Sequence, residues 1–457
     1  MTEVYFCFDT EDYTSPKAWD AIVREADLLK KHGVRGNFNV VGYNAREWIR
    51  NKRYDVPQAL EYHNVGTHSL RHSYHPTLLE YTDLESYDEA RRLLLEQECE
   101  GIGMVKAVTG RDRLLFACPP GNSLSYVAMY EYVELGIKLY LGSVFAFRDG
   151  RSVYFCNGLH TNYDYALEGL FYPGRTFRSN HKDVPYETGA FLDEISRKKR
   201  VVLYTHPTRA YHSTFWDLVN YDGENKHPMH EWEPTPLVPP ETTERFFAEF
   251  DKLVAALKND KRFVIRDMAY LDEKVTRDNA ARVIRFDELG EMKRQLENDF
   301  FAVKLPSGTF SLSDCFAAAA HFCNSKEDFY PQRVRGFLST PLGVTSPVKL
   351  TADDVKTLAA AYVPNAFMPT HYRVRGRSVG PADLLFAMID VALGAEEVTV
   401  EPRPQLPTLD RGLNDLGYEM LERLSFKGKT WVNVPDFADN FLSARLKLQS
   451  WTLREEE

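Results

Sequence analysis

The chain has 457 residues and a mass of 52.6 kDa, which is more than one ordinary domain needs and suits two or three domains. Hydrophobic residues make up 44% and charged residues 27%, as in globular proteins, so disorder, collagen-like repeats and extended coiled coil are excluded. The formal net charge of -10 and the pI of about 5.8 provide no general attraction for nucleic acid or an anionic membrane surface.

Cysteine use and the N-terminal segment bear on the compartment. The six cysteines are scattered without a Cys-x-x-Cys pair, which favours a reducing compartment over a disulfide framework. The N-terminus has no basic region, and no later stretch reaches the ~18 apolar residues of a membrane span. We therefore expect a cytoplasmic protein with no membrane span, although a chain trimmed of its leader would look the same.

The first 275 residues alternate between short apolar runs and helical patterns. The predicted strands are Val4–Phe8, Gly36–Val41, Asn64–Thr67, Leu114–Ala117, Lys138–Leu141, Arg200–Tyr204 and Phe263–Ile265. The predicted helices include residues 16–32, introduced by Ser15 and Pro16, and then Ser86–Ile102 and Thr242–Lys258. Such alternation predicts a parallel sheet or α/β barrel whose working residues follow the carboxyl ends of the strands.

The pattern changes twice further along the chain. Residues 207–240 are rich in His, Trp and Pro and predict a long loop, either a substrate wall or a lid. After residue 275 the spacing predicts helices without intervening strands, at Leu312–Phe322, Ala352–Tyr362, Ala382–Leu393, Leu413–Leu424 and Asp436–Leu446. We therefore predict an α/β domain at 1–275 and a mainly helical domain at 276–457.

The strongest chemical signal is the segment from Gly66 to His72, which directly follows a predicted strand. His68 and His72 have the i, i+4 spacing that places two imidazoles on one face of a helical turn, where they could bind one divalent ion. Solvated surface histidines are the alternative. Asp9, Glu11 and Asp12 follow another strand and could supply the carboxylate of an open, catalytic metal site, or simply favour the next helix N-terminus.

Two more strand ends carry suitable chemistry. His206 follows the strand at 200–204 and precedes a proline, which favours an acid or base at neutral pH. Cys118-Pro119-Pro120-Gly121 forms a rigid turn whose backbone N–H groups could face a developing oxyanion.

In this order and spacing, the segments resemble the polysaccharide deacetylase family, also called the NodB-homology or carbohydrate esterase 4 group, over residues 3–273. The family's motifs Thr-Phe-Asp-Asp, His-(Ser/Thr)-x-x-His, Arg-Pro-Pro-Tyr-Gly and Leu-x-x-His are similar to residues 7–12, 68–72, 118–122 and 203–206. The resemblance implies a distorted (β/α) barrel and metal-dependent hydrolysis of an N-acyl group, usually N-acetyl, on an amino sugar or polysaccharide.

The resemblance also implies residue roles. Asp9 would be the general base, and His206 the general acid. Asp12, His68 and His72 would hold one divalent ion, most simply zinc, with Asp12 preferred to Glu11 because its side chain is shorter. Gly121 is a candidate for the oxyanion site, and Trp232 for stacking on a sugar ring, with an aromatic lid packed on itself as the alternative.

One departure from the motifs leaves other readings open. Cys118 stands where the family has an arginine that orients the catalytic aspartate, so Asp9 would be held otherwise, for example by Arg71 or Arg209. The alternatives are a hydrolase of a small non-sugar amide or ureide, as in the allantoinase-like branch, and a catalytically silent carbohydrate-binding protein. The intact histidine pair argues against the first, since that branch resembles a metal-free variant.

The helical domain offers weaker signals. Residues 305–317 and 368–387 share a Leu/Met-Pro pair followed by a capped helix start, which suggests an internal repeat that needs gaps to align. These blocks faintly resemble pseudomurein-binding repeats. Dimerisation through this domain, or a cap over the barrel mouth, is the plainer interpretation.

Overall fold

A computed structural model describes residues 1–142, 145–148, 151–172, 186–220, 228–414, 434 and 436–456. These residues form two compact units, with the main division between residues 274 and 275. Residues 145–148 and 151–159 belong with the second unit, and residues 434 and 436–440 with the first.

Strands and helices are interspersed along the first 281 residues, although several follow an element of their own kind. The strands are β1 (Thr2–Thr10), β2 (Asn37–Val40), β3 (Asn64–Thr67), β4 (Phe116–Ala117), β5 (Leu139–Leu141), β6 (Val153–Phe155), β7 (Gly158–Thr161), β8 (Tyr165–Ala166), β9 (Arg200–Thr205) and β10 (Phe263–Ile265). The helices are α1 (Pro16–Lys31), α2 (Gly42–Arg50), α3 (Asp55–Leu60), α4 (Leu78–Thr82), α5 (Tyr87–Thr109), α6 (Tyr126–Glu134), α7 (Leu167–Phe171), α8 (Thr188–Ile195), α9 (Thr208–Tyr211), α10 (Trp216–Asn220), α11 (Pro240–Asn259) and α12 (Met268–Ala281).

The sheet of the first unit is parallel and curls into a half-barrel. Its strands run in the order β8-β9-β1-β2-β3-β4-β5. β10 pairs with the first half of β1, on the same side as β2, which pairs with the second half. β1 is almost wholly buried because strands flank it on both sides and helices cover the sheet, as in other parallel sheets. The predicted α/β fold class is confirmed.

Local sequence explains why the first helix begins and ends where it does. The Ser15 hydroxyl accepts a hydrogen bond from the Lys17 N–H at 3.2 Å, and Pro16 occupies the first helical position, as predicted. Lys30 and Lys31 lie in the last turn, where cations stabilise the carbonyl end of a helix. α1 therefore connects the end of β1 to β2 with well-defined ends.

Besides helices α2, α6, α8 and α12, which the sequence analysis did not name, two regions built of short elements differ from the sequence prediction. The segment 207–240 is not without regular structure, because α9, α10 and a short 3-10 helix at Met229–Glu231 lie within it. Strand β8 and helix α7 were also not predicted. Each of these elements has only two to five residues, too few for apolar periodicity to be visible.

The second unit mixes helices with short antiparallel pairs of strands. Its later elements are α13 (Leu289–Asn298), β11 (Val303–Leu305), β12 (Gly308–Phe310), α14 (Leu312–Phe322), β13 (Val348–Thr351), α15 (Ala352–Ala359), β14 (Tyr372–Val374), β15 (Arg377–Val379), α16 (Pro381–Ala392), β16 (Glu397–Val400), α17 (Leu442–Leu448) and β17 (Arg454–Glu455). The prediction of helices without strands is therefore wrong, because β11 pairs with β12, β13 with β16 and β14 with β15.

The predicted helices of this unit have mixed outcomes. α14 matches its prediction at both ends, and α15 and α16 begin within one residue of theirs. The helix predicted at 436–446 begins later, at Leu442, and most of the one predicted at 413–424 lies outside the described residues.

The internal repeat has a simpler register than the sequence suggested. Both copies are a hairpin followed by a capped helix, β11-β12-α14 and β14-β15-α16. A single offset of 69 residues relates Ser311 to Gly380 at the helix caps and Asp314 to Asp383 three residues later, without gaps. α14 and α16 then pack together within one apolar core.

In the described part of the chain, no helix has the length and apolar character needed to cross a membrane.

Candidate active site

Strand register brings four chemically equipped strand ends together. Asp9 on β1 lies directly opposite Asn39 on β2, and Thr67 on β3 lies opposite Ala117 on β4. His68 and Cys118 follow directly, and His206 follows β9, which pairs with β1 on its other side. The predicted convergence at the carboxyl ends of the strands is what parallel pairing produces.

The first group in this site joins one carboxylate and two imidazoles. Glu11, His68 and His72 are buried and each offers one ligand atom, all within 4.8 Å of one another. The Glu11 Oε2 atom lies 3.0 Å from His72 Nε2 and 4.0 Å from His68 Nε2. One oxygen and two nitrogen donors with room for further ligands are the donor set of catalytic zinc sites.

Asp12, the predicted metal carboxylate, is used elsewhere. Its Oδ1 atom accepts hydrogen bonds from the Thr14 N–H and hydroxyl at 2.8 and 2.7 Å, and its Oδ2 atom accepts one from the Thr208 hydroxyl at 2.8 Å. Glu11 is the carboxylate that reaches the histidines. Asp12 instead turns back to the start of the following loop, where these hydrogen bonds hold its carboxylate.

The two histidines present their Nε2 atoms because their Nδ1 atoms are engaged. His68 Nδ1 makes a short hydrogen bond with the Cys118 carbonyl oxygen. His72 Nδ1 lies 2.8 Å from the Ser73 hydroxyl oxygen, and that hydroxyl donates to Asp217 at 2.7 Å. Such outer contacts fix the orientation of metal-binding imidazoles.

The segment that carries the histidines is a loop, not the predicted helical turn. Ser69 and His72 have positive φ angles of 66° and 59°, a backbone conformation that residues other than glycine rarely adopt. The Ser69 hydroxyl accepts a hydrogen bond from the His72 N–H at 3.0 Å and stabilises the turn. The centroids of the two rings lie 5.0 Å apart. The two imidazoles are therefore neighbours although the backbone between them is not helical.

Burial sets the protonation of this group. It lowers the pKa of both His68 and His72 to about 4, so the imidazoles are neutral at pH 7, as metal ligands must be. It also raises the pKa of Glu11 to about 7. Three buried carboxyls, Asp9, Glu11 and Asp12, occur within four residues, and a divalent cation would offset their charge. The residues present therefore fit a divalent ion.

The second group is the predicted acid and base. His206 Nε2 lies 3.7 Å from Asp9 Oδ2, and His206 Nδ1 lies 2.6 Å from Glu168 Oε1. Burial opposes the charged imidazolium, but the charge of Glu11, the hydrogen bond and charge of Glu168 and the charge of Asp9 together raise the pKa of His206 to about 9. The ring is therefore protonated at neutral pH.

Glu168 was missed by the sequence analysis. It lies in α7, directly after β8, and β8 is the neighbour of β9 in the sheet. The signal that points to it is the short strand at 165–166, which places an acidic residue beside His206. Two residues of strand are too few to recognise in sequence.

Asp9 is held by groups other than the two arginines suggested above. Its Oδ1 atom accepts hydrogen bonds from Asn39 Nδ2 at 2.7 Å and from the Tyr163 hydroxyl at 2.8 Å. Arg71 instead donates to Gln97, and Arg209 to the His212 carbonyl oxygen at 3.3 Å.

The two candidate substrate contacts have different surroundings. Gly121 has a φ of 61° in the turn that follows Cys118, whose carbonyl oxygen contacts His68. Trp232 is partly buried, with its ring 5.3 Å from that of Trp216, which in turn lies 5.9 Å from the ring of His72. Trp216 and Trp232 therefore pack on one another beside the Glu11–His68–His72 group.

The fold and the site define an α/β protein with a buried carboxylate–histidine cluster at the carboxyl ends of its parallel strands. No family model and no curated protein matches the chain. Solved structures similar to it include polysaccharide deacetylases, a carbohydrate esterase of family 4 and a pseudoenzyme of the same family.

Three of these structures give the extent of the likeness. A Mycobacterium smegmatis protein assigned as a polysaccharide deacetylase is 16% identical, with a TM-score of 0.38, over 60% of this chain and 90% of its own. A Bacillus anthracis family 4 pseudoenzyme is 16% identical, with a TM-score of 0.33, over 59% and 65%. A Bacillus subtilis peptidoglycan deacetylase is 15% identical, with a TM-score of 0.30, over 64% and 96%.

Proposed function

We propose that the protein is a metal-dependent amide hydrolase that removes an N-acyl group, most simply N-acetyl, from an amino sugar or an N-acetylated sugar polymer. The observation that carries this proposal is the position of the Glu11–His68–His72 group beside the Asp9–His206 pair. The sequence motifs support the sugar amide as substrate. Glu11, His68 and His72 would hold one divalent ion, zinc by its preference for this donor set.

The roles of the two catalytic residues follow from their protonation and position. When bound, a divalent ion in this site supplies Lewis acidity to the amide carbonyl and makes water acidic enough to lose a proton near neutral pH. Asp9 Oδ2 accepts the proton from the attacking water, because Oδ1 is already occupied by two donors. His206 Nε2 carries the proton that the departing amine nitrogen needs.

Glu168 and Asp217 complete this arrangement without touching the reacting atoms. The Glu168 carboxylate orients the His206 ring through Nδ1 and favours its charged form. Asp217, through Ser73, orients the His72 ring so that Nε2 faces Glu11. A metal-free hydrolase of small amides or ureides would need neither the buried histidine pair nor these outer contacts.

The test combines metal content with product release. Purified wild type should contain about one zinc-like ion per chain by elemental analysis and should release acetate from tri-N-acetylchitotriose. His68→Ala/His72→Ala should lose both the ion and the release of acetate.

His63→Gln is the matched control, because His63 is also buried but binds the Gly36 N–H and the Ala26 carbonyl oxygen instead. It should keep the ion. A folded wild type that neither contains nor takes up a divalent ion would contradict the proposal and favour a silent binding protein. An ion without acetate release would redirect the search to other N-acyl substrates.

A further inference from the structure

The hydrogen bonds on Asp9 form a closed network of neutral donors. One N–H of the Asn39 amide donates to Asp9 Oδ1 at 2.7 Å, and Asn39 Nδ2 also lies 2.7 Å from the Tyr163 hydroxyl oxygen. The Tyr163 hydroxyl donates to the same Asp9 oxygen at 2.8 Å and accepts from the Cys118 thiol at 3.3 Å. Both donors act on one carboxylate oxygen and leave Oδ2 facing His206.

The two donors are themselves fixed in place. Asn39 lies on β2 directly opposite Asp9 in the strand register and is fully buried. The Tyr163 ring is stacked on the ring of Tyr204, with centroids 4.3 Å apart and planes 21° apart. Tyr204 belongs to β9, two residues before His206. The network therefore ties Asp9 to both neighbouring strands of the sheet.

We propose that Asn39 and Tyr163 are the positioning residues of Asp9, and that together they replace the arginine whose position Cys118 occupies. This inference rests on the proposed function, in which Asp9 Oδ2 accepts the proton from water. Two neutral donors orient the carboxylate as an arginine would, without adding a second cation beside the metal ligands. The Cys118 thiol donates to the Tyr163 hydroxyl and also lies within 4.8 Å of an Asp9 carboxylate oxygen.

The kinetic test is Tyr163→Phe, which removes one hydroxyl and keeps the stacked ring. With zinc-loaded protein and tri-N-acetylchitotriose, we expect kcat to fall by about 10- to 100-fold, because a misaligned base loses that much. KM and the zinc content should stay as in wild type, since neither depends on the orientation of Asp9. A structural role alone would change stability without this separation of kcat from KM.

The matched control is Tyr87→Phe. The Tyr87 hydroxyl also donates to a buried carboxylate, Glu131 Oε1, at 2.8 Å, and neither residue belongs to the site. Its kcat should equal that of wild type, whatever the change in melting temperature. Equal kcat values for Tyr163→Phe and Tyr87→Phe would overturn the inference.

A second readout separates this inference from the proposed function. If wild type releases no acetate, the function fails for this substrate, and crystal structures of zinc-loaded wild type and Asn39→Ala/Tyr163→Phe then decide the inference. The Asp9 carboxylate should occupy one orientation in wild type and turn away from it in the double variant. An unchanged carboxylate in the double variant would refute the positioning role.

Discussion

The proton held by His206 depends on Glu168, and Glu168→Gln tests that dependence. The Glu168 carboxylate is 2.6 Å from His206 Nδ1, while Asp9 Oδ2 is 3.7 Å from Nε2. Burial lowers the pKa of His206, but the charges of Glu11, Glu168 and Asp9 and the Glu168 hydrogen bond raise it to about 9. Glutamine keeps a hydrogen-bonding group and removes the charge.

The size of the effect follows from the contact. A carboxylate in direct contact changes a neighbouring pKa by about 1–3, and a value of about 2 would bring the pKa of His206 to ~7 in the variant. At pH 8 the protonated fraction then falls from ~0.9 to ~0.1, so acetate release should fall about tenfold at this pH and little at pH 6. A bound cation offsets part of the Glu11 charge, so the difference between variant and wild type is the quantity to compare.

The assay is the pH dependence of kcat on tri-N-acetylchitotriose for wild type, Glu168→Gln and Glu131→Gln. Glu131 is an equally buried carboxylate outside the site, so its variant should keep the alkaline limb of wild type. If the alkaline limb of the kcat profile lay at the same pH in Glu168→Gln as in wild type, the assignment of His206 as the acid whose proton Glu168 stabilises would be refuted.

Stability of the metal-free protein gives an independent check with a definite sign. The pKa of His206 is higher in the folded state than its ordinary value of 6.5, so its contribution is fully present below pH 6.5. That contribution, about 3 kcal/mol for the shift to about 9, is lost as the pH rises through about 9. Urea unfolding from pH 6 to pH 10 should show a smaller loss in Glu168→Gln than in wild type.

Three further predictions concern the ligand set, packing and acid stability. Glu11→Gln should lose the metal ion in elemental analysis while Asp12→Asn keeps it, and the reverse would restore Asp12 as the ligand. Gly66→Ala should lower the free energy of unfolding in urea by about 1–3 kcal/mol, because its Cβ would lie 2.1 Å from the Phe116 ring. Gly103→Ala, with open space inside a helix, should raise it by roughly 0.5–1 kcal/mol, and equal effects would contradict the packing argument. Burial lowers the pKa of His63 to about 4, so its contribution is present above pH 6.5 and lost as the pH falls toward 4. The free energy of unfolding should therefore fall less with decreasing pH in His63→Gln than in wild type. Parallel pH dependences in the two proteins would refute this.

The fold of the first unit was predictable where apolar runs were long enough to show a period. β3 and β10 have the predicted bounds, and β1 and α11 extend their predictions by one or two residues at each end. The second unit was harder because its hairpins have three-residue strands, as in β11 and β12, with polar residues among them. Its repeat was misaligned because a Leu/Met-Pro pair was matched, whereas the cap residues Ser311 and Gly380 keep the common register.

Some residues of the site could be recognised from their position in the sequence, whereas the roles of others depend on how the strands pair. His68 and His206 could be found because each directly follows a strand, and His72 because the motif spacing from His68 marks it. Glu168 and Tyr163 follow or precede a strand of two residues, and their roles arise from the pairing of β8 with β9 and of β9 with β1.

Asn39 is a further residue whose role could not be predicted from the sequence, although the strand that contains it was predicted. It stands inside a predicted strand, where an asparagine reads as a weak strand former and gives no sign of function. Its value comes from a register that sets it opposite Asp9, so its amide reaches the carboxylate left without an arginine. A missing motif residue therefore does not by itself indicate lost activity when neighbouring residues supply hydrogen bonds to the same carboxylate.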